Sequence, residues 1–398
     1  MERWYGIGAS SVMALAVAGC AVSEKPENLE FVARGEGYQA QYRDMPRRNA
    51  DPGFLQSARF NAAACLPVAG GAGGKGVGVI DSSLAGARLS RNDLVSLHVD
   101  QDEIFGGDYV VSRDGALNLP FLDPVRAQGR LVREVEADIA SRLVARGFFV
   151  DRPQVSVRLA DFASVSVGVA GAVFEPQVVE IGGTPGDRID GRRQSALGAS
   201  TEGRNLSAAL RAAGGVRPDA DISAVKVRRG GTVHTLDMRG VFEGQNAVDI
   251  MLLTGDEVMV PSRGCFQDDL MRPSPISPPG VSLFLSNLTQ PAAGNAISAV
   301  GRDVREVPYG TRYMQAVIDT NCVGGARATS ADRSAILYSR NPITGVSAVI
   351  ERDIEALVRR ADRDDYDPYV LPGDSIACYD STITNIGEIG RVLGLLPF

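Results

Sequence analysis

The residues of this chain best suited to nucleophilic, redox or metal chemistry are five cysteines and two histidines, and their spacing supports none of these. His98 and His234 stand far apart in sequence, with no Cys or His beside them at metal-ligand spacing, which disfavours zinc and most acid–base chemistry. No C-x-x-C, H-E-x-x-H or nucleophile elbow occurs, and no pair of spaced carboxylates sits in an apolar setting. The acidic run Asp362-Arg-Asp-Asp365 suits a solvated face. Gly71-x-Gly73-x-x-Gly76 formally matches a dinucleotide fingerprint, but no clear strand precedes it and no periodic helix follows; Gly76 also stands where a phosphate-binding loop needs Ser or Thr. The expectation is no catalytic residue, no metal and no cofactor, and hence no enzyme.

The elements around these residues fit an exported, multi-domain protein. At 398 residues and 44% hydrophobic composition, the chain can bury two or three cores. Its formal charge is −7, and its only lysines are Lys25, Lys75 and Lys226, so it lacks a cationic field for a nucleic-acid backbone. Ile7 to Ala18 is an apolar run too short to span a bilayer and is followed by small residues, as in a signal peptide. Its end, Val17-Ala18-Gly19-Cys20, resembles a bacterial lipobox, which implies lipidation at Cys20; the plainer reading is a secretory signal with an incidental Cys. Ala21, in place of Asp, favours the outer membrane. Cys65, Cys265, Cys322 and Cys378 then form an even set in an oxidising compartment, where disulfides are expected.

Residues 20–84, polar and glycine-rich, read as a tether. Beyond them, Leu94 to Val99 alternates as a strand, and Tyr109–Ser112 and Ala116–Leu119 flank Arg113-Asp-Gly115 as a hairpin. Leu131, Val135, Ile139 and Leu143 recur every four residues to a stop at Gly147, and Val155, Val157 and Leu159 alternate behind Pro153. In order, Asn92-Asp-Leu-Val-Ser-Leu-His-Val99, Tyr109 through Pro120 and Asp151-Arg-Pro-Gln-Val-Ser-Val157 resemble the polysaccharide export domain of bacterial outer-membrane polysaccharide exporters. Asn92 replaces the usual Gly of that motif.

An internal repeat follows. Leu206–Leu210, Ala213-Gly-Gly215, Asp221–Arg229 and Thr254-Gly-Asp-Glu-Val-Met-Val260 recur as Met314–Ile318, Val323-Gly-Gly325, Asp332–Arg340 and Pro372-Gly-Asp-Ser-Ile-Ala-Cys378. Both copies resemble the β-grasp-like SLBB domain; the first opens with Val167 to Pro176, whereas Gly301 to Pro308 matches that opening only loosely. Gly182–Arg204 and Met271–Pro279 read as surface loops or linkers. The repeat alignment sets Cys322 opposite Ala212 and Cys378 opposite Val260, both core positions, so a Cys322–Cys378 disulfide is expected, with two buried free thiols as the other reading. Cys65 with Cys265 then remains by exclusion.

The expected fold is α+β and multi-domain: signal peptide 1–19, tether 20–84, an export α/β domain over 85–162, SLBB domains over 163–264 and 293–381 joined by a Pro-rich linker 265–292, and a C-terminal amphipathic helix 382–398. The resemblance implies a homo-oligomeric ring, usually an octamer, of mostly periplasmic, lipid-anchored outer-membrane protomers that passes a capsular or extracellular polysaccharide. It implies two partners, the polymer and an inner-membrane co-polymerase or tyrosine autokinase. The alternative is a periplasmic glycan- or ligand-binding scaffold lipoprotein with no channel. On a helical projection of the last segment, Ile383, Ile386, Ile389, Val392, Leu393 and Leu396 gather on one side as lipid-facing candidates. Thr384, Glu388 and Arg391 gather on the other as pore-facing candidates. At 1.5 Å per residue the segment reaches about 25 Å, short of a ~30 Å hydrocarbon core but compatible with a thinner outer membrane. Packing against the last domain is the plainer reading.

Overall fold

In strand β1 (Leu94–Val99), Val95, Leu97 and Val99 point into a core while His98 faces solvent, the period-2 outcome of alternating side chains. The computed structural model describes residues 65–70, 81–182, 202–245, 248–287, 305–319, 334–359 and 366–379. Strand β1 is the centre of a three-stranded antiparallel sheet, between β2 (Asp102–Val110) and β5 (Val155–Asp161). Helix α1 (Val132–Ala145) closes this core with buried Val135, Ile139 and Leu143. Glu134 begins the helix by accepting the Leu131 N–H at 2.9 Å, and Gly147 ends it at φ +77°.

The turn at 113–115 forms, but the hairpin expected around it does not. β2 pairs with β1, and Ala116–Leu117 (β3) instead forms a two-residue ladder with Val125–Arg126 (β4). Turn chemistry located the reversal; the pairing partner was fixed by the longer apolar register of β1.

The next sheet has the order β7-β6-β10-β8-β9, from β6 (Val165–Gly171), β7 (Gln177–Ile181), β8 (Val225–Arg229), β9 (Thr232–Leu236) and β10 (Glu257–Val260). β6 and β10 run parallel at its centre, and β8 turns into β9 through Gly230 and Gly231, both at positive φ as a tight two-residue turn requires. Helix α2 (Leu206–Ala212) packs Leu206, Ala209 and Leu210 on it, and the one-turn α3 (Gly240–Glu243) lies at its end.

A second five-stranded sheet repeats that connectivity in the order β12-β11-β15-β13-β14. Its strands are β11 (Val281–Asn287), β12 (Arg305–Val307), β13 (Ser334–Arg340), β14 (Ser347–Asp353) and β15 (Ser375–Tyr379), with β11 and β15 parallel. Helices α4 (Tyr313–Asp319) and α5 (Ile354–Arg359) cover a separate core. The architecture is α+β, with three hydrophobic cores among the described residues.

Two expectations about connecting segments are corrected. The stretch 265–292 is not a linker: it contains β11, the parallel partner of the last strand, and buries Phe266, Leu270, Met271 and Ile276. Nor is 20–84 a tether to its end, because Leu84 is buried in the first repeat's core and Cys65 is bonded to Cys265. Both segments contain Pro- or Gly-rich sequence, and their partners lie too far along the chain for local periodicity to reveal.

Candidate functional site

Three turns of one design position the chemistry of this protein. Each runs four residues into an aspartate: Ser90-Arg-Asn-Asp93, Leu253-Thr-Gly-Asp256 and Leu371-Pro-Gly-Asp374. The aspartate Oδ2 accepts the N–H three residues back, at 2.6, 2.9 and 2.8 Å, and the aspartate N–H returns a bond to that residue's carbonyl at 3.3, 3.0 and 3.1 Å. The third residue needs positive φ: Gly255 and Gly373 supply it freely, while Asn92 sits at +66°, a conformation Asn tolerates better than most side chains. Each turn launches or precedes a core strand, so its carboxylate is buried.

The remaining oxygens of the three carboxylates have different partners. Asp93 Oδ1 accepts Arg204 Nη1 at 2.8 Å and the Ala163 N–H at 3.0 Å. Burial raises the Asp93 carboxyl above the usual range, only partly opposed by Arg204, and burial lowers the Arg204 guanidinium. Among the described residues Arg204 Nε and Nη2 find no hydrogen-bond acceptor; the guanidinium lies 5.1 Å over the Phe162 ring. Arg204 had been expected in a surface loop over 182–204, yet it is fully buried.

Asp256 pairs with Arg229 at 2.6 Å. Asp374 Oδ1 instead meets Ser339 Oγ at 2.5 Å. The strand registers explain the exchange, since Val227 faces Val258 and Leu337 faces Ile376, which makes Ser339 the counterpart of Arg229. The sequence alignment had matched Arg229 to Arg340, one residue out. With no cation in that place, burial raises Asp374 to about 7.

Around the first turn, Ser90 Oγ accepts the Thr254 N–H at 3.2 Å, locking the domain built on β1 to the first repeat. A cleft of about 340 Å³ opens beside this joint. The two repeats are joined by Arg217, which donates to the Pro342 carbonyl at 2.8 Å, and by edge-on Phe174 and Tyr309. Gly215 lies so close to Ser277 and Pro278 that a Cβ there would stand 2.3 Å from the Pro278 nitrogen.

A second cavity, about 390 Å³, lies beneath the segment 65–70. The Cys65–Cys265 disulfide, two-way bonds between Leu66 and Arg263, and Ala69 N–H on Asp221 Oδ2 hold that segment down. Cys378, on β15, is also disulfide-bonded and buried; Cys322, its expected partner, lies outside the described residues, as does Cys20. So do the lipid-facing candidates Ile383, Ile386, Ile389, Val392, Leu393 and Leu396 and the pore-facing candidates Thr384, Glu388 and Arg391. Among the described residues no helix is long and apolar enough to cross a membrane, and no cluster of His, Cys, Asp or Glu has metal-binding geometry. Ser83 Oγ and His234 Nε2 approach to 3.5 Å in an exposed position, but Asp81 bonds the Ser83 backbone rather than the imidazole, so no triad forms.

Residues 82–160 match the family of polysaccharide biosynthesis/export proteins. The chain is 31% identical over 214 residues to the EPS I polysaccharide export outer membrane protein EpsA of Ralstonia nicotianae, covering 51% of this chain and 50% of that protein. It is 30% identical over 205 residues to the protein of the same name from Ralstonia solanacearum, covering 50% and 48%. The chain therefore matches about half the length of these curated relatives.

Proposed function

From the premise that residues 82–160 are a polysaccharide export domain, we propose that this chain works at the outer membrane as a lipid-anchored protomer of a homo-oligomeric conduit for a capsular or extracellular polysaccharide. The observation that carries the reading is the family match over the domain built on β1, β2, β5 and α1, supported by relatives named as outer-membrane export proteins. The role is transport: the export domain passes a polymer rather than transforming it.

The joints support a ring. Protomers closing into a ring need a fixed angle between successive domains; the buried Asp93–Arg204 pair fixes one such angle, and part-buried Arg217 on the Pro342 carbonyl, with edge-on Phe174 and Tyr309, fixes a second. Residues 163–264 and 293–381 act as SLBB-type domains stacked behind the export domain, except that the second begins earlier, at β11. Cys20 carries the lipid, and residues 382–398 insert in the membrane as one helix of an α-helical barrel, apolar side outward. An inner-membrane co-polymerase or tyrosine autokinase delivers the polymer.

Native mass of the detergent-solubilised protein, together with polymer release from a deletion strain, tests the reading. A closed oligomer and lost release are expected; a monomer with unchanged release overturns it. Removal of residues 382–398 is expected to abolish release while leaving folded protein at the membrane, and full release would show that another protein supplies the pore.

A further inference from the structure

We propose that the cleft between the export domain and the first repeat binds a carboxylate-bearing sugar unit of the polymer, an inference that rests on the export reading and adds a substrate class to it. The cleft, at about 340 Å³, is at the small end of the roughly 300–1,000 Å³ typical of ligand sites, enough for a short stretch of sugar. Arg91 and Asn92 enter it from the Ser90–Asp93 turn and Arg113 from the turn after β2; Ser166 on β6, Glu180 on β7 and Thr254 form the opposite side.

The two arginines set the ligand's charge. Nearby, Arg204 is matched to Asp93 and Arg229 to Asp256, while Arg88 is taken up by the Gly129 and Ser82 carbonyls. Among the described residues neither Arg91 nor Arg113 has an ion pair, and the Arg91 Nε is buried without a hydrogen-bond partner. Among the described residues Glu180 is the sole carboxylate lining the cleft, and it is engaged by Ser164 Oγ. The cleft therefore carries two cations against one anion, and a guanidinium fork matches a carboxylate with two parallel hydrogen bonds.

The other groups set the ligand's remaining chemistry. The Asn92 amide, the Ser166 and Thr254 hydroxyls and the unengaged oxygen of Glu180 together donate to and accept from hydroxyl groups, which a bare anion does not carry but a sugar acid does. Asn92 holds φ +66° where the equivalent turns use Gly255 and Gly373, so this turn alone presents an amide at a conformationally costly position. Among the described residues no aromatic ring lines the cleft, so a bound sugar is held by polar contacts and released easily, as a sliding polymer requires.

The test titrates the full-length, detergent-solubilised protein with trigalacturonate, its methyl ester and inorganic phosphate, by calorimetry. Trigalacturonate is expected to bind, with the ester and phosphate each at least about tenfold weaker. Arg91→Gln and Arg113→Gln are each expected to weaken trigalacturonate about tenfold, and Asn92→Gly, which keeps the turn, to weaken it severalfold without lowering the melting temperature. Exposed Arg113 carries the test if Arg91→Gln fails to fold. No binding of the acid, equal binding of acid and ester, equally tight phosphate, or arginine variants that bind as wild type would overturn the inference. Any of these with polymer release still dependent on the protein leaves the export reading standing; normal release from a deletion strain removes that reading instead.

Discussion

Arg204 Nη1 lies 2.8 Å from Asp93 Oδ1 across 111 residues of sequence, and neither side chain is more than 1% exposed. The pair joins the strand-launching turn of the export domain to the start of helix α2 in the next domain. Both groups are shifted toward their neutral forms, so desolvation outweighs their attraction, and the pair fixes geometry more than it adds stability.

Removing one partner leaves the other charge buried alone. Arg204→Met is expected to cost about 3–5 kcal/mol in denaturant unfolding, and the double variant Asp93→Asn/Arg204→Met to cost clearly less than the sum of the single changes. Additive losses would show that the two groups do not interact.

Asp374 gives the second repeat a pH dependence. Its folded value of about 7 lies above the unfolded 3.8, so the folded state holds the proton more tightly. The resulting stabilisation is complete below pH 3.8 and is lost as pH rises toward and through 7, a swing of about 4 kcal/mol for this group. Wild-type melting is expected to fall between pH 5 and 7.5, and Asp374→Asn to flatten that slope. Parallel slopes would assign the dependence to other groups.

The Cys65–Cys265 bond closes a loop with a separation of 200 residues, for which the chain-entropy account gives about 5 kcal/mol, near the top of the observed range. Cys265→Ser is expected to lower stability by about 2–5 kcal/mol and to expose the 66–70 segment to protease. Unchanged cleavage would mean that the hydrogen bonds to Arg263 and Asp221, with that of the Gly70 N–H to Ser223 Oγ at 3.0 Å, hold the segment unaided.

Gly215→Ala places a Cβ against Pro278 at φ +83°, and a loss of about 2–3 kcal/mol is expected. The same substitution at Gly244, φ +69° with nothing within 4 Å of the added Cβ among the described residues, is expected to cost only the backbone strain, about 1 kcal/mol. Equal melting shifts for the two variants would show that close packing at Gly215 adds nothing.

If Cys20 carries the lipid, Cys20→Ser accumulates as an uncleaved, mislocalised precursor. Membrane fractionation and the mature N-terminus check this, and normal processing would rule out the anchor.

Local patterns were legible in the sequence where a segment's own core decides its structure. β1 runs from Leu94 to Val99 as its alternation predicts, and α1 falls within a residue of its four-residue apolar spacing. Distant partners were not legible. Nothing near Val281 announces that β11 pairs with Ser375–Tyr379, and Arg204 sits in Gly- and Arg-rich sequence that resembles solvent-facing loop. The cleft was equally hidden, because Arg91, Glu180 and Thr254 converge only when two domains dock. The visible clue was Asn92, a side chain where the family motif has glycine.

The parallel pairs at the centres of the two repeats set an order of events for a chain that arrives from one end. β6 waits for β10 and β11 waits for β15, because in each sheet an early strand is completed by the last one. Cys65 waits longest. At synthesis rates of about 5–20 residues per second, the 200 residues to Cys265 represent about 10–40 s during which that thiol has no proper partner. In a chain that enters an oxidising compartment from its N-terminal end, Cys65 meets its partner only after Cys265 has followed it across, so the finished bond records that the first repeat reached its end.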